Sequence, residues 1–184
     1  AKGQGREAYR TRDMRGLPGT MGLGHVRYAT RGSSENEDEA QPFYVNAPYG
    51  IVLVHNGNLT NPRELTQELF HVDRRHLNTG SDTELLVNVL ANELQEQVSG
   101  LDLDPDQIFA AVERVHERVE GSYAAIALIA GYGLLAFRDP FGIRPLVLGR
   151  RTRGFLATEW VVASESLVLE SGGYEVVRDV APGE

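Results

Sequence analysis

An α+β fold with largely antiparallel sheet is predicted by three observations. A short β-branched apolar run, Ile51–His55, lies early in the chain. Three amphipathic segments with their own start signals follow it, and from Ser122 onward the pattern changes to short strand-like runs separated by Gly- or Pro-bearing turns. A first strand, a block of helices and then a meander is the order expected of helices segregated to one side of antiparallel sheet.

Taken in order, the first twenty residues are polar, with Gly3, Gly5, Gly16 and Gly19, and read as irregular. Met21–Tyr28 is strand-like, and the loop Thr30–Ala40 that follows is crowded with Gly, Ser and acids. Ile51–His55 reads as a buried strand. Asn61-Pro62-Arg63-Glu64 has the form of a capping box, with Leu65 and Leu69 on one face. Ser81-Asp82-Thr83-Glu84 repeats that logic ahead of the stripe Leu85, Leu86, Val89, Leu90 and Leu94. Asp104-Pro105-Asp106-Gln107 starts the third helix, with Ile108, Val112, Val115 and Val119 on its core side. Tyr123–Ala130, Leu134–Arg138, Leu146–Leu148, Phe155–Ala163 and Tyr174–Arg178 are the later strands, and the arginines of 150–153 read as a solvated turn.

Composition narrows the function. The 184 residues carry 18 basic and 26 acidic side chains, a net charge of −8, which argues against a nucleic-acid surface. No apolar run is long enough to span a bilayer as a helix. There is no cysteine, so these residues hold no disulfide, thiolate zinc site or cysteine nucleophile. Asp102, Asp104, Asp106 and Glu113 have the acid spacing of a calcium loop, but Gln107 stands where that loop needs Gly. The histidines show no metal-ligand spacing, and neither Ser33-Ser34 nor Ser164 has a nucleophile signature around it. The chain opens on Ala1-Lys2-Gly3 and closes on Pro182-Gly183-Glu184, and reads as a piece of a longer chain.

Three groups could carry chemistry. His55-Asn56-Gly57-Asn58 contains the Asn-Gly pair of a hairpin turn, yet a capped helix follows rather than a return strand. A strand running into Asn-Gly can offer an amide side chain and a backbone N–H side by side, the two donors of an oxyanion hole. Arg27, in Gly24-His25-Val26-Arg27-Tyr28, could grip a carboxylate bidentately or be a plain surface charge. Asp82, in a first helical turn, could bind an ammonium group or simply complement the helix dipole. Together they suit an amino acid with a side-chain amide, without a group to cleave it.

The ordered stretches Gly24-His25-Val26-Arg27-Tyr28, Gln41-Pro42-Phe43, His55-Asn56-Gly57-Asn58-Leu59-Thr60-Asn61, Ser81-Asp82-Thr83-Glu84 and Phe137-Arg138-Asp139-Pro140-Phe141-Gly142-Ile143-Arg144-Pro145-Leu146 resemble the amidophosphoribosyltransferase family. The resemblance runs from about Leu17 to Glu184; residues Gly5–Arg15 and Arg31 depart from it. Glucosamine-6-phosphate synthase and asparagine synthetase fit these stretches less well.

The resemblance implies an N-terminal-nucleophile hydrolase αββα sandwich, incomplete at its N-terminus, with residues 1–184 a partial type 2 glutamine amidotransferase (glutaminase) domain. It implies that Arg27 holds the glutamine α-carboxylate, Asp82 the α-ammonium, and the Asn56 side chain with the Gly57 N–H the oxyanion. His55, Tyr28 and Thr30 would shape the pocket, and Arg138–Pro145 would support it. The nucleophilic cysteine, whose α-amine handles the proton, would lie outside these residues. So would the phosphoribosyltransferase domain of the same chain with its magnesium. No cofactor or metal is expected within the 184 residues. A cytoplasmic, homo-oligomeric parent enzyme of purine synthesis, with no membrane or nucleic-acid partner, is implied. The alternatives are a domain that binds or senses glutamine without cleaving it, and the glutaminase domain of another class II amidotransferase.

Overall fold

The computed structural model describes residues 15–26, 39–98, 100, 102–154 and 157–184. Residues 21–26 have no regular structure, so the strand expected over Met21–Tyr28 is absent from its described part; Arg27 and Tyr28 lie outside the described residues. The first strand among the described residues is instead β1 (Phe43–Val45), antiparallel to β2 (Ile51–Leu59). Helices α1 (Pro62–His71), α2 (Asp82–Gln97) and α3 (Pro105–Arg118) follow. The chain then returns through β3 (Gly121–Ile129) and β4 (Gly133–Arg138) to complete a four-stranded antiparallel sheet, β1-β2-β3-β4. A second antiparallel sheet, ordered β6-β5-β7, is built from β5 (Val147–Arg153), β6 (Ala157–Ala163) and β7 (Glu175–Asp179), with the short helix α4 (Ser166–Ser171) between the last two.

Alternation along the strands makes the layers. Ile51, Leu53 and Leu59 of β2, Tyr123, Ala125, Ala127 and Ile129 of β3, and Leu135 and Phe137 of β4 pack with Leu65, Leu69, Leu86, Leu90, Leu94 and Val115 of the helices. The opposite face of that sheet, through Ala124, Ile126 and Ala136, meets Val162 of β6 together with Leu146 and Val180, which flank β5 and β7. Leu169 of α4, fully buried, lies against Gly149 of β5, whose Cβ position is 3.0 Å from it. Helices, sheet, sheet and helix give the αββα order, an α+β fold, as expected.

Local signals fare unevenly. The capping box at α3 is present in full: the Asp104 carboxylate accepts from Gln107 N–H and the Gln107 side chain accepts from Asp104 N–H. At α1 it is not. Asn61 makes no side-chain cap; its amide donates to Arg118 C=O at 2.9 Å and accepts from Glu120 N–H at 3.0 Å, fastening the helix start to the chain leading into β3. At α2, Ser81 caps Thr83 N–H, but Glu84 turns outward from the box to accept from the backbone and side chains of Asn78 and Thr79. Burial raises the Glu84 carboxyl, and those four bonds outweigh it, leaving the group below its ordinary value.

The arginines of 150–153 are corrected from a turn to strand: all lie on β5, and Arg151 pairs with Glu159 of β6 while stacking on Tyr174 at 4.2 Å. Cross-strand ion pairing and an aromatic platform hold there what reads in sequence as loose charge.

Candidate active site on the open edge of β2

The Asn-Gly pair does not end the strand. β2 runs through it, with Asn56 opposite Ala124, Gly57 opposite Tyr123 and Asn58 opposite Ser122. Glycine is required at 57 for a steric reason. Its φ is +144°, and a Cβ would lie 1.9 Å from Ser122 O. The turn reading of Asn-Gly is therefore replaced by a close crossing of two strands.

Antiparallel pairing alternates the backbone groups between a strand's two edges. Tyr123 N–H donates to the Asp139 carboxylate and Tyr123 C=O accepts from Asp139 N–H, so Tyr123 faces away from β2. Gly57, its partner in register, consequently turns its own N–H to the opposite edge of β2. On that edge β1 covers only Ile51 and Leu53. The next group, His55, is taken by a side chain: Gln41 Oε1 accepts from His55 N–H at 2.7 Å and Gln41 Nε2 donates to His55 C=O at 3.0 Å. Two residues past Gly57, Leu59 N–H donates to the Asp82 carboxylate at 2.8 Å. The Gly57 N–H stands between them, with no strand among the described residues to receive it.

A cavity of about 300 Å³ opens there, lined by Glu39, Gln41, His55, Gly57, Asn58, Gly80, Ser81, Asp82 and Thr83. The α2 N-terminus thus meets the β2 edge. Burial raises the Asp82 carboxyl above its ordinary value, and the Leu59 N–H bond opposes that rise. His55 is 5% exposed, shares a 3.2 Å hydrogen bond with Thr83 Oγ1 through Nδ1, and keeps Nε2 buried without a partner among the described residues. Burial first, then the neighbouring charges of His25 and Arg144, lower its pKa to about 4, so the ring is neutral near pH 7.

The structure brings His55, Gly57 and Asp82 to one cavity. The Asn56 side chain is exposed and reaches His25 Nε2 at 3.2 Å; being next to His55 and Gly57 on a strand, it leaves from the other face, and it does not line this cavity. Arg27, Tyr28 and Thr30 lie outside the described residues. Gln41 and Thr83 also line this cavity, and neither carries a signal of that in the sequence around it. Nothing local marks a glutamine before a proline as a strand-edge ligand; only its place in the quoted stretches pointed to it.

Arg138 and Asp139 build the support. Asp139, fully buried, accepts from the N–H groups of Tyr123, Phe141 and Ile143, and Arg138 donates to the carbonyls of Gly142, Arg144 and Val180. The two side chains hold the 140–145 turn to the strand that carries Tyr123.

Residues 25–171 match the glutamine amidotransferase domain family. The chain belongs to that family. It is 57% identical over 168 residues to an amidophosphoribosyltransferase of Pasteurella multocida, covering 91% of this chain and 33% of that protein. It is 53% identical over 184 residues to the amidophosphoribosyltransferase of Escherichia coli, covering 100% and 36%. The solved glutamine phosphoribosylpyrophosphate amidotransferase of B. subtilis superposes with a TM-score of 0.61 at 29% identity, over 86% of this chain and 30% of that one. The chain spans about a third of the length of the curated relatives it matches. No helix among its described residues is long and apolar enough to cross a membrane.

Proposed function

We propose that this domain is the glutaminase part of an amidophosphoribosyltransferase. It would hydrolyse glutamine to glutamate and ammonia, and the ammonia would displace diphosphate from 5-phosphoribosyl 1-diphosphate to give 5-phosphoribosylamine in purine synthesis. The observation that carries the reading is identity above half, along nearly the whole chain, to proteins bearing that name. The open β2 edge supports it, because a free N–H beside a carboxylate is what an amide substrate with an α-ammonium group needs.

In this reading Arg27 pairs with the α-carboxylate and Asp82 with the α-ammonium. The Gly57 N–H receives the carbonyl oxygen as it becomes tetrahedral, and the Asn56 amide would be the second donor only after giving up His25 and turning to the strand edge. Neutral His55, with Tyr28 and Thr30, shapes the pocket wall. The attacking thiolate comes from a cysteine outside these residues, which contain none. Ammonia acceptance belongs to a phosphoribosyltransferase domain elsewhere in the same polypeptide. Magnesium would go with that domain. A cytoplasmic homo-oligomer without nucleic-acid partners completes the proposal.

The test is the full-length protein assayed with glutamine and 5-phosphoribosyl 1-diphosphate. Equimolar glutamate and diphosphate are expected, and replacement of glutamine by ammonia should sustain diphosphate release. Glutamine binding without hydrolysis would overturn the enzymatic reading in favour of a sensor. Hydrolysis coupled to another acceptor would overturn the choice among amidotransferases.

A further inference from the structure

Gln41 does with its side chain what a backbone rung would otherwise do. The register Phe43↔Leu53 on β1 and β2, continued by two residues, would bring the backbone of residue 41 opposite His55 and, continued by four, that of residue 39 opposite Gly57. The ladder stops short of this. The Gln41 carboxamide fills the His55 rung, accepting from His55 N–H and donating to His55 C=O. A carboxamide carries the same donor and acceptor as a peptide group, but it sits at the end of a side chain. Its backbone is therefore held back from the β2 edge by the length of that side chain, and the space gained is the cavity between Glu39 and Gly57. A strand edge left bare invites pairing along its whole length. With the His55 rung filled by an amide and the Leu59 rung filled by Asp82, the Gly57 N–H between them meets the cavity and has no backbone partner among the described residues.

From this geometry we infer that Gln41 is a positioning residue for glutamine hydrolysis, a side-chain rung that ends the β1 ladder and keeps the Gly57 N–H unpaired for the substrate carbonyl. The inference rests on the proposed function and adds to it the device that presents one oxyanion donor. Gln41 acts through the His55 peptide group, which takes both ends of its carboxamide. Its loss should lower turnover rather than affinity, because the groups assigned to the amino-acid end of glutamine are left in place.

Gln41→Leu and Gln41→Glu in the full-length protein test it. Leu removes both bonds, and Glu keeps an acceptor for His55 N–H while losing the donor to His55 C=O. For Gln41→Leu, kcat for glutamine hydrolysis should fall by about tenfold or more, a fraction of the hundredfold to thousandfold seen when an oxyanion donor is removed outright. KM for glutamine should stay within about twofold, and Gln41→Glu should fall between Leu and wild type. Glutamate γ-semialdehyde, which forms a tetrahedral adduct on the thiol, should lose affinity by the same factor as kcat, while glutamate should not. A merely structural role would weaken both ligands together, and that result overturns the inference. Wild-type kcat in both variants also overturns it. If Gln41→Leu does not fold, Gln41→Glu decides on the same criteria. A wild-type protein that neither hydrolyses glutamine nor binds the aldehyde removes the proposed function itself, an outcome distinct from either of these.

Discussion

Leu59 N–H donates to the Asp82 carboxylate at 2.8 Å, tying the far end of a strand edge to the first turn of a helix 23 residues later. The bond uses one carboxylate oxygen, and Asp82 lines the cavity beside Gly57. Replacing Asp82 by Asn separates its two roles, because an amide oxygen can still accept from Leu59 but carries no charge. Asp82→Asn in the full-length protein should raise KM for glutamine by about tenfold or more, the scale of a lost charge-assisted bond. Ammonia-dependent synthesis should persist. Equal loss of both activities would make Asp82 a structural residue only.

Gly57→Ala should destabilise the domain strongly. The new methyl would sit 1.9 Å from Ser122 O, which is backbone and can move only with β3, and φ of +144° is strained for any side chain. Overpacking and backbone strain together are worth on the order of 3 kcal/mol. For a domain of this size that lowers Tm by roughly 6–12 °C. Calorimetry checks it, and an unchanged Tm would mean that β2 and β3 separate locally at little cost.

Asp139→Ala should be among the most damaging substitutions. It would strip acceptors from three N–H groups, those of Tyr123, Phe141 and Ile143, around a fully buried side chain. With buried unsatisfied donors at about 1–3 kcal/mol each, a loss of about 3–5 kcal/mol is expected. Urea unfolding of the two proteins side by side measures it.

Arg118 joins all three large helices. From the end of α3 it reaches Asp73 just beyond α1 at 2.7 Å, Glu68 of α1 at 3.2 Å and Glu93 of α2 at 2.5 Å. Burial works against its charge, and the bonds to Asp73 and Glu93 more than restore it, so its pKa is raised. Arg118→Ala would leave Asp73 and Glu93 buried and unpaired and should cost about 3 kcal/mol. Arg118→Lys should recover only part of that, since a single ammonium cannot reproduce a fork over three carboxylates. Full recovery by Lys would show that charge alone matters.

Acid should weaken the fold partly through His55. Its folded pKa of about 4 lies below the ordinary 6.5, because burial excludes the charged ring. Between those values the unfolded chain takes up a proton that the folded chain refuses, so stability rises with pH. The contribution is complete above about pH 6.5 and is lost as pH falls toward 4. Between pH 7.5 and 4.5, wild type should lose about 2 kcal/mol more than His55→Gln in urea unfolding. Equal losses would assign the acid sensitivity to other groups.

Much of this was legible beforehand, and the limits follow a pattern. The α3 capping box was readable because the Asp104 and Gln107 side chains each bond the other's backbone N–H, three residues apart. The same motif at Asn61 misled because Arg118 and Glu120, more than fifty residues away, offered it better-placed partners. Helix α4 is not legible in the sequence because six residues with no side-chain cap carry too little periodicity. Nor is β1, because three residues become a strand only by pairing with β2.

By itself the sequence determined the α+β class, the three long helices with their buried faces, the order of the later strands and the family. Those depend on local spacing, capping chemistry and ordered motifs, all carried by near neighbours in the chain. Only the tertiary structure decided that Asn56-Gly57 continues a strand instead of turning, and that Gln41 and Asp82 fill the rungs on either side of Gly57. Those facts depend on which edge of β2 is left over once β1 and β3 have paired. Backbone hydrogen bonds between distant segments settle that, and no window along the chain contains it.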